Sequence, residues 1–367
     1  MKKILLFIKE RVPVFFTVSL SIMLVSLAVI RVAIVNTAFA DLINRTLAHG
    51  YRRILALVTD LLPFSLFEMI IAFIPLWIAL IVIFAVRASK RKKKTRFILV
   101  LVGAVFLFYS FYLWGLSMPY HTTTVDDKME LSADEVSPDE IYETLLTVRD
   151  EVNFYAAAVG DVESGSTVMP YSFGELAEKI NLAYVSFDER YEGVLTNYRS
   201  RPKRIVHGGV MSDLHLVGVY SFFTGEANVS TDYPDYNTPF TMAHEMAHQR
   251  GILRENEANF VAFLVCLESR DTYVRYSAYL NMLEYLASAL NKTDPDRYRE
   301  IYGTLDSRAI ADMKASSEVF NKHKDSLYGK LMEKFNDGYI KHNGSEGTVS
   351  YGLVVRLAVA YYDSDDK

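Results

Sequence analysis

The amino-acid sequence predicts an α+β protein, mostly helical. Three N-terminal transmembrane helices precede a soluble domain with a small β-sheet and one helix that carries two histidines a turn apart. Three observations lead there. Long apolar runs fill the first third of the 367 residues, and hydrophobic residues make up 51% of the whole, a share above that of most soluble chains. Capping signals and helical apolar spacing dominate after residue 137. Between these regions stands the stretch Thr238 to Asn259, TPFTMAHEMAHQRGILRENEAN.

The membrane anchor is expected over residues 1–116, with spans at about 13–35, 61–86 and 97–115. Only Arg31 interrupts the first run, close to its end, where a long side chain reaches the interface. Ala38-Phe39-Ala40 resembles a cleavage site, but the apolar run exceeds a signal-peptide core and further spans follow, so an uncleaved helix is expected. Residues 41–60 read as an amphipathic surface helix. Residues 87–96, RASKRKKKTR, hold seven basic residues among ten. Between two apolar runs such a cluster marks a cytoplasmic loop. This orientation predicts a multi-pass protein of the cell membrane with a cytoplasmic N-terminus and an extracytoplasmic C-terminal domain. The bilayer is thus the first expected partner.

Charge divides along the same line. Residues 1–116 carry 15 Lys and Arg against 4 Asp and Glu, and residues 117–367 carry 24 against 40. So acidic a soluble part argues against nucleic-acid binding. Its net charge also predicts repulsion from anionic lipid. The single cysteine, Cys266, excludes an internal disulfide framework and sits in an apolar run that reads as core.

A polar linker is expected over residues 117–136 and the soluble domain over 137–367. Ser137-Pro138-Asp139-Glu140 and Ser172 to Glu175 are capping boxes that open helices. Residues 204–230 are β-branched and punctuated by glycine, so they read as strands. His207, His215, His323 and His342 are expected to be structural or surface residues. The remainder reads as helical, with a loop at 341–348.

The chemistry lies in His244-Glu245-Met246-Ala247-His248. Histidines four apart share a helix face and can reach one metal ion. Glu245 can reach a water on that metal and take its proton, which is the arrangement of a zinc hydrolase. The other faces of this helix are apolar, so it is expected to be buried, and buried polar side chains need partners. Gly251 ends the helix. The carboxylate-rich segment that follows offers a third ligand: Glu255, with Glu257 as the alternative. Asn259 shares a face with Glu255 and is expected to orient a histidine from behind the ligands. Residues Gly225, Glu226, Ala227, Asn228 and Val229 are expected to form a strand that pairs with extended substrate.

Three N-terminal spans, GVYSFFTGEANVS, HEMAHQRG, ENEANF and SYGLVVRLAVAYY together resemble a family of bacterial membrane proteins of unknown function with an HExxH core. The resemblance covers most of the chain. More distantly, HExxH followed by E-x-x-A-D is similar to membrane-bound gluzincin peptidases. That likeness implies a zincin-like domain, with Glu255 as ligand and Asn259 in place of the usual aspartate. Gly251 follows His248 at the metzincin spacing, but Arg254 occupies the third-ligand position of that pattern and cannot ligate. The expected function is a membrane-anchored Zn²⁺ metallopeptidase acting on peptide or protein substrates, with Glu245 as the catalytic base. The alternative is a non-catalytic zinc-binding sensor or peptide-binding module.

Overall fold

A computed structural model describes residues 12–160, 162, 165–331, 333–334 and 350–364. The N-terminal stretch through Arg11, the loop expected at 341–348 and His342 lie outside the described residues. The chain divides into two compact units: Met1–Thr122 with Ser221–Gly225, and Thr123–Tyr220 with Glu226–Lys367.

In the first unit, α1 spans Val14–Val35, α2 Thr37–Ile43, α3 His49–Thr59, α4 Leu66–Ala72, α5 Ile74–Lys90 and α6 Lys94–Tyr112. Two helices are long and apolar enough to cross a membrane: α1, with a mean hydropathy of 2.5, and α6 with its continuation, Lys94–His121, with 2.3. The span expected at 61–86 is not one straight helix. Residues 61–64 form turns, and α4 and α5 meet at a 60° bend. Pro75 stands at the start of α5, where its missing N–H costs nothing but prevents a continuous helix from Leu66. The pair counts as a third candidate only if taken as one broken span. The surface helix expected at 41–60 is α2, a π-helical turn at Asn44–Ala48, and α3. Helices α1 and α6 pack together. They approach closely at Gly103, where a Cβ would lie 3.1 Å from the Phe16 Cα. The indole N–H of Trp114 donates to Ser26 Oγ at 2.9 Å. Phe222 and Phe223 set their rings 5.2 and 5.6 Å from that of Phe108, and the Tyr51 hydroxyl donates to the Phe222 carbonyl.

The second unit contains α7 (Val125–Lys128), α8 (Pro138–Ala158), α9 (Phe173–Arg190), β1 (Lys203–Arg204), α10 (Gly208–Asp213), β2 (Gly218–Ser221) and β3 (Glu226–Val229). After these come α11 (Asn237–Gln249), α12 (Glu255–Glu268), α13 (Thr272–Thr293), α14 (Pro295–Tyr302), α15 (Ser307–His323) and α16 (Ser350–Asp363). Both expected capping boxes form, at Ser137 with Glu140 and at Ser172 with Glu175. Helix α12 is the centre of the core: Phe260 through Cys266 are buried without a break, so the cysteine is a packing residue. Helices α9, α11, α13 and α16 surround it, and α8 lies along α13. Residues 123–136 are not a free linker. Val125 is fully buried, and Met129, Leu131, Ala133 and Val136 pack on the same core. Their apolar side chains, alternating with charges, gain more from burial than from solvation.

The sheet has three strands in the order β1-β3-β2, with β1 parallel to β3 and Lys203 opposite Asn228. A strand that joins β3 through four residues can only be antiparallel to it. Two expectations change here. Residues 208–213 are helical, not extended. Residues 226–229, expected to pair with substrate, form the central strand and are wholly buried. With a strand on each side, β3 has no edge left for a peptide. The neighbouring edge belongs to β2.

His215 and His323 are structural residues, as expected. His215 Nδ1 stands 2.8 Å from Glu333 Oε1, and its Nε2 stands 3.0 Å from the His323 carbonyl oxygen. Both partners are acceptors, so only the imidazolium donates to both. The His323 carbonyl, then Glu333, hold the His215 pKa above its ordinary value. A raised folded-state pKa contributes stability below the unfolded pKa, and loses it as pH rises through the folded one. His215→Ala is therefore expected to speed hydrogen exchange in residues 326–334 at pH of about 6, below the ordinary histidine pKa. The difference from wild type should shrink as pH rises. Exchange mass spectrometry showing a pH-independent difference would contradict the role of the charge.

Candidate metal centre

Helix α11 presents the two histidines from a buried frame. Thr238 through Ala243 and Glu245 through Arg250 are all buried. The helix begins at Asn237, and Tyr236 caps it without a side-chain bond. The rest of the second unit fixes its backbone. The Tyr184 hydroxyl donates to the Ala243 carbonyl at 2.6 Å, the Tyr198 hydroxyl to that of Gln249 at 3.0 Å, and Phe240 N–H to Ser277 Oγ at 3.1 Å. Arg250 anchors the C-terminal end. Its guanidinium donates to the Met246 carbonyl and to Asn197, and lies 4.0 Å from the centre of the Tyr184 ring. Gly251 then takes a φ of +95°, which glycine adopts without a Cβ clash, and the chain reverses into α12.

That reversal brings Glu255, the first residue of α12, onto the histidines. His244 Nε2 lies 3.3 Å from Glu255 Oε2, and His248 Nε2 lies 3.7 Å from Glu255 Oε1. The ligand atoms of His244, His248 and Glu255 all fall within 4.8 Å of one another. Donors held at about 2.0–2.1 Å by a tetrahedral ion stand roughly 3.3 Å apart, so the set fits one metal. His248 Nδ1 is 2.7 Å from the Ile252 carbonyl oxygen. As the donor in that bond, Nδ1 carries the proton in the neutral ring and leaves Nε2 as a lone pair aimed at the site. Burial disfavours charge on His248, yet Glu255 beside it prevails and raises its pKa to about 9. Burial opposes the charge on Glu255 too, and the histidines, His248 first, outweigh it and hold that pKa well below the usual carboxylate range. The three side chains thus attract one another electrostatically even before any ion is considered. The Glu255 side chain is 33% exposed, which leaves the group open on that side.

Glu257 lies elsewhere. It is buried and pairs with Arg254 at 2.9 Å, and the Val125 N–H also donates to it. On a helix, residues two apart point about 160° away from each other, so one carboxylate faces the histidines and the other the α7 side. Asn259 hydrogen-bonds to neither histidine: His248 uses the Ile252 carbonyl, and His244 Nδ1 is buried with no hydrogen-bond partner among the described residues.

Glu245 is buried behind this group. Its carboxylate accepts the Tyr220 N–H, while Oε2 has no hydrogen-bond partner among the described residues. Burial, opposed by His244 and then His248, holds its pKa above the ordinary value. Gly218 makes room for it: a Cβ there would fall 2.5 Å from Glu245 Oε1. Gly218 and Tyr220 are residues that motif reading passes over. Their signal is a glycine inside a strand pattern, which marks a close approach by another group. Gly218→Ala is expected to push the Glu245 carboxylate aside while the three-residue group stays in place. Metal content should be unchanged, and the overpacked contact should lower stability by about 1–3 kcal/mol in thermal unfolding. An unfolding temperature equal to that of wild type would show that Glu245 tolerates the displacement. Of the tyrosines that a hydrolase could use to stabilise an oxyanion, Tyr220 is buried in β2, Tyr233 is half-buried in the loop before α11, and the Tyr351 side chain lies outside the described residues.

These features define a mostly helical protein with a small mixed sheet, candidate membrane helices near its N-terminus, and a partly buried group able to hold a metal ion. The chain belongs to the family described as "Protein of unknown function (DUF3810)", whose model matches residues 44–359. No curated protein and no solved structure matches it.

Proposed function

We propose that the protein is a membrane-anchored metallopeptidase that hydrolyses peptide bonds outside the cytoplasmic membrane. One observation carries the reading. The candidate ligand atoms of His244, His248 and Glu255 converge within 4.8 Å of one another, and the buried carboxylate of Glu245 stands beside them with an oxygen that no described residue satisfies. Metal binding alone does not require Glu245; a hydrolytic step does.

Two imidazoles, one carboxylate and an open side suit Zn²⁺, which would supply Lewis acidity at a peptide carbonyl. The chain's own residues do the rest. His248 keeps its Nε2 lone pair directed inward through its bond to Ile252. The Tyr220 N–H holds one Glu245 oxygen, which leaves Oε2 to accept a proton from the attacking water and return it to the leaving amine. Strand β2 is the edge of the sheet. Val217 O accepts the Ser230 N–H, so by alternation the backbone of Gly218 faces away from β3. That edge, rather than β3, is where an extended peptide would pair.

The seven basic residues of 87–96 cover the end of α5, the turn after it and the start of α6. Read by charge bias, they place that connection in the cytoplasm and the second unit on the other side. The test is metal analysis of the full chain in detergent, paired with cleavage of a quenched peptide library by wild type and Glu245→Gln. Absence of metal from wild type purified without chelator would overturn the proposal.

A further inference from the structure

The second unit is acidic overall, and its net charge predicts repulsion from anionic lipid. One surface departs from that pattern. The helical residues 327–331, 333 and 334 are held to the body through Gly329 and Glu333. A Cβ on Gly329 would fall 2.4 Å from His215 Nε2, and Glu333 bonds His215 Nδ1. At about 100° per residue, Gly329 and Glu333 share one face, and Leu327, Leu331 and Lys334 lie on the opposite one. Leu327 is 68% exposed and Leu331 56%. This helix therefore turns its leucines outward, the reverse of a helix that packs its apolar side on a core.

The charges around it are sorted in the same way. Among the described residues, the acidic side chains here are already paired: Asp213 with His323 at 2.7 Å, Asp325 with Lys330 at 3.2 Å, and Glu333 with His215. Lys322, Lys324 and Lys334 are exposed and have no ion-pair partner among the described residues. Outward leucines flanked by uncompensated lysines are the chemistry of a helix that lies in a lipid headgroup layer. Such a layer is within reach. The last candidate span ends at His121, and the second unit begins at Thr123, about 7 Å of chain further on.

We infer that the face carrying Leu327, Leu331, Lys322, Lys324 and Lys334 docks on the anionic lipid surface of the bilayer that holds the anchor. The leucines enter the interfacial layer and the lysines meet lipid phosphates. This does not depend on the metal site, and it rests only on the anchor reading. Each lysine near an anionic surface is expected to raise partition by roughly five-fold.

The experiment uses the full chain in proteoliposomes, and flotation of the protein with the liposomes checks the anchor separately. Leu327→Cys is labelled with an environment-sensitive fluorophore, Cys266 being buried and unreactive in the folded protein. Leu182→Cys, on α9 and equally exposed, is the control. Trace headgroup spin-labelled lipid is expected to quench the label at 327 several-fold more than that at 182. The excess should require phosphatidylglycerol, fall with added salt, and drop in a Lys322→Glu, Lys324→Glu, Lys334→Glu variant. Equal quenching at the two positions would overturn the inference. So would shielding of position 327 that grows with protein concentration and is indifferent to the lipid quencher, which would assign the face to a protein partner.

Discussion

Glu245→Gln is expected to keep its full complement of metal and lose peptide hydrolysis. General-base catalysis contributes about 10² to 10⁴ in rate, so the residual activity should lie that far below wild type. The substitution is nearly isosteric, and Gly218 leaves room for the side chain beside β2. The amide can still accept the Tyr220 N–H through its oxygen. What disappears is the oxygen able to accept a proton, Oε2, which has no competing partner among the described residues. Folding is therefore expected to survive, and thermal unfolding of the variant should match wild type to within a few degrees, since one hydrogen bond is worth about 1 kcal/mol. The measurement is hydrolysis of the quenched peptide library alongside metal content by mass spectrometry. Equal metal in both proteins with cleavage in neither would favour a zinc-binding sensor over an enzyme.

The second large effect separates the two carboxylates at the start of α12. Glu255→Ala removes one of three converging donors. Loss of a group that only orients a ligand costs about 10–100-fold in metal affinity, so loss of a ligand should exceed that. After dialysis the variant is expected to hold little metal. Glu257→Ala should retain it, since that carboxylate faces Arg254 and Val125 instead. Its cost falls on stability. Glu257 is buried while Arg254 is partly exposed, so the loss is about 1–3 kcal/mol, below that of a fully buried pair. The two variants thus fail in opposite measurements: metal analysis for one, thermal unfolding for the other. Loss of metal from Glu257→Ala with a normal unfolding temperature would reverse the assignment.

Local rules carried the sequence far where chemistry and conformation coincide in a few neighbouring residues. The capping boxes at Ser137 and Ser172, the glycine turn at Gly251 and the burial of α11 each rest on residues within a turn of one another. The convergence of His244, His248 and Glu255 was legible for the same reason. What could not be read depends on partners distant in the chain. Strand β3 takes Lys203–Arg204 as its second neighbour, and a two-residue strand leaves no periodicity to detect. That pairing is what turns 226–229 from a candidate edge into the middle of the sheet. Likewise nothing next to Arg250 in the sequence marks it as buried; Tyr184 and Tyr198, distant in the chain, enclose it. The polar composition of 117–136 suggested a linker, whereas Val125, Met129 and Leu131 reach the core.

The turn at Gly251 has a thermodynamic consequence of its own. It allows all three candidate ligands to come from twelve consecutive residues, His244 to Glu255, so closing the site requires only a short loop. A chain that has lost its tertiary structure still carries both histidines and the carboxylate close together, and can retain some grip on the ion. Affinity for the unfolded state subtracts from the stabilisation that a ligand confers. Metal loading is therefore expected to raise the unfolding temperature less than its affinity for the native protein implies. An ion that binds this group would also be open to capture before the surrounding helices have assembled.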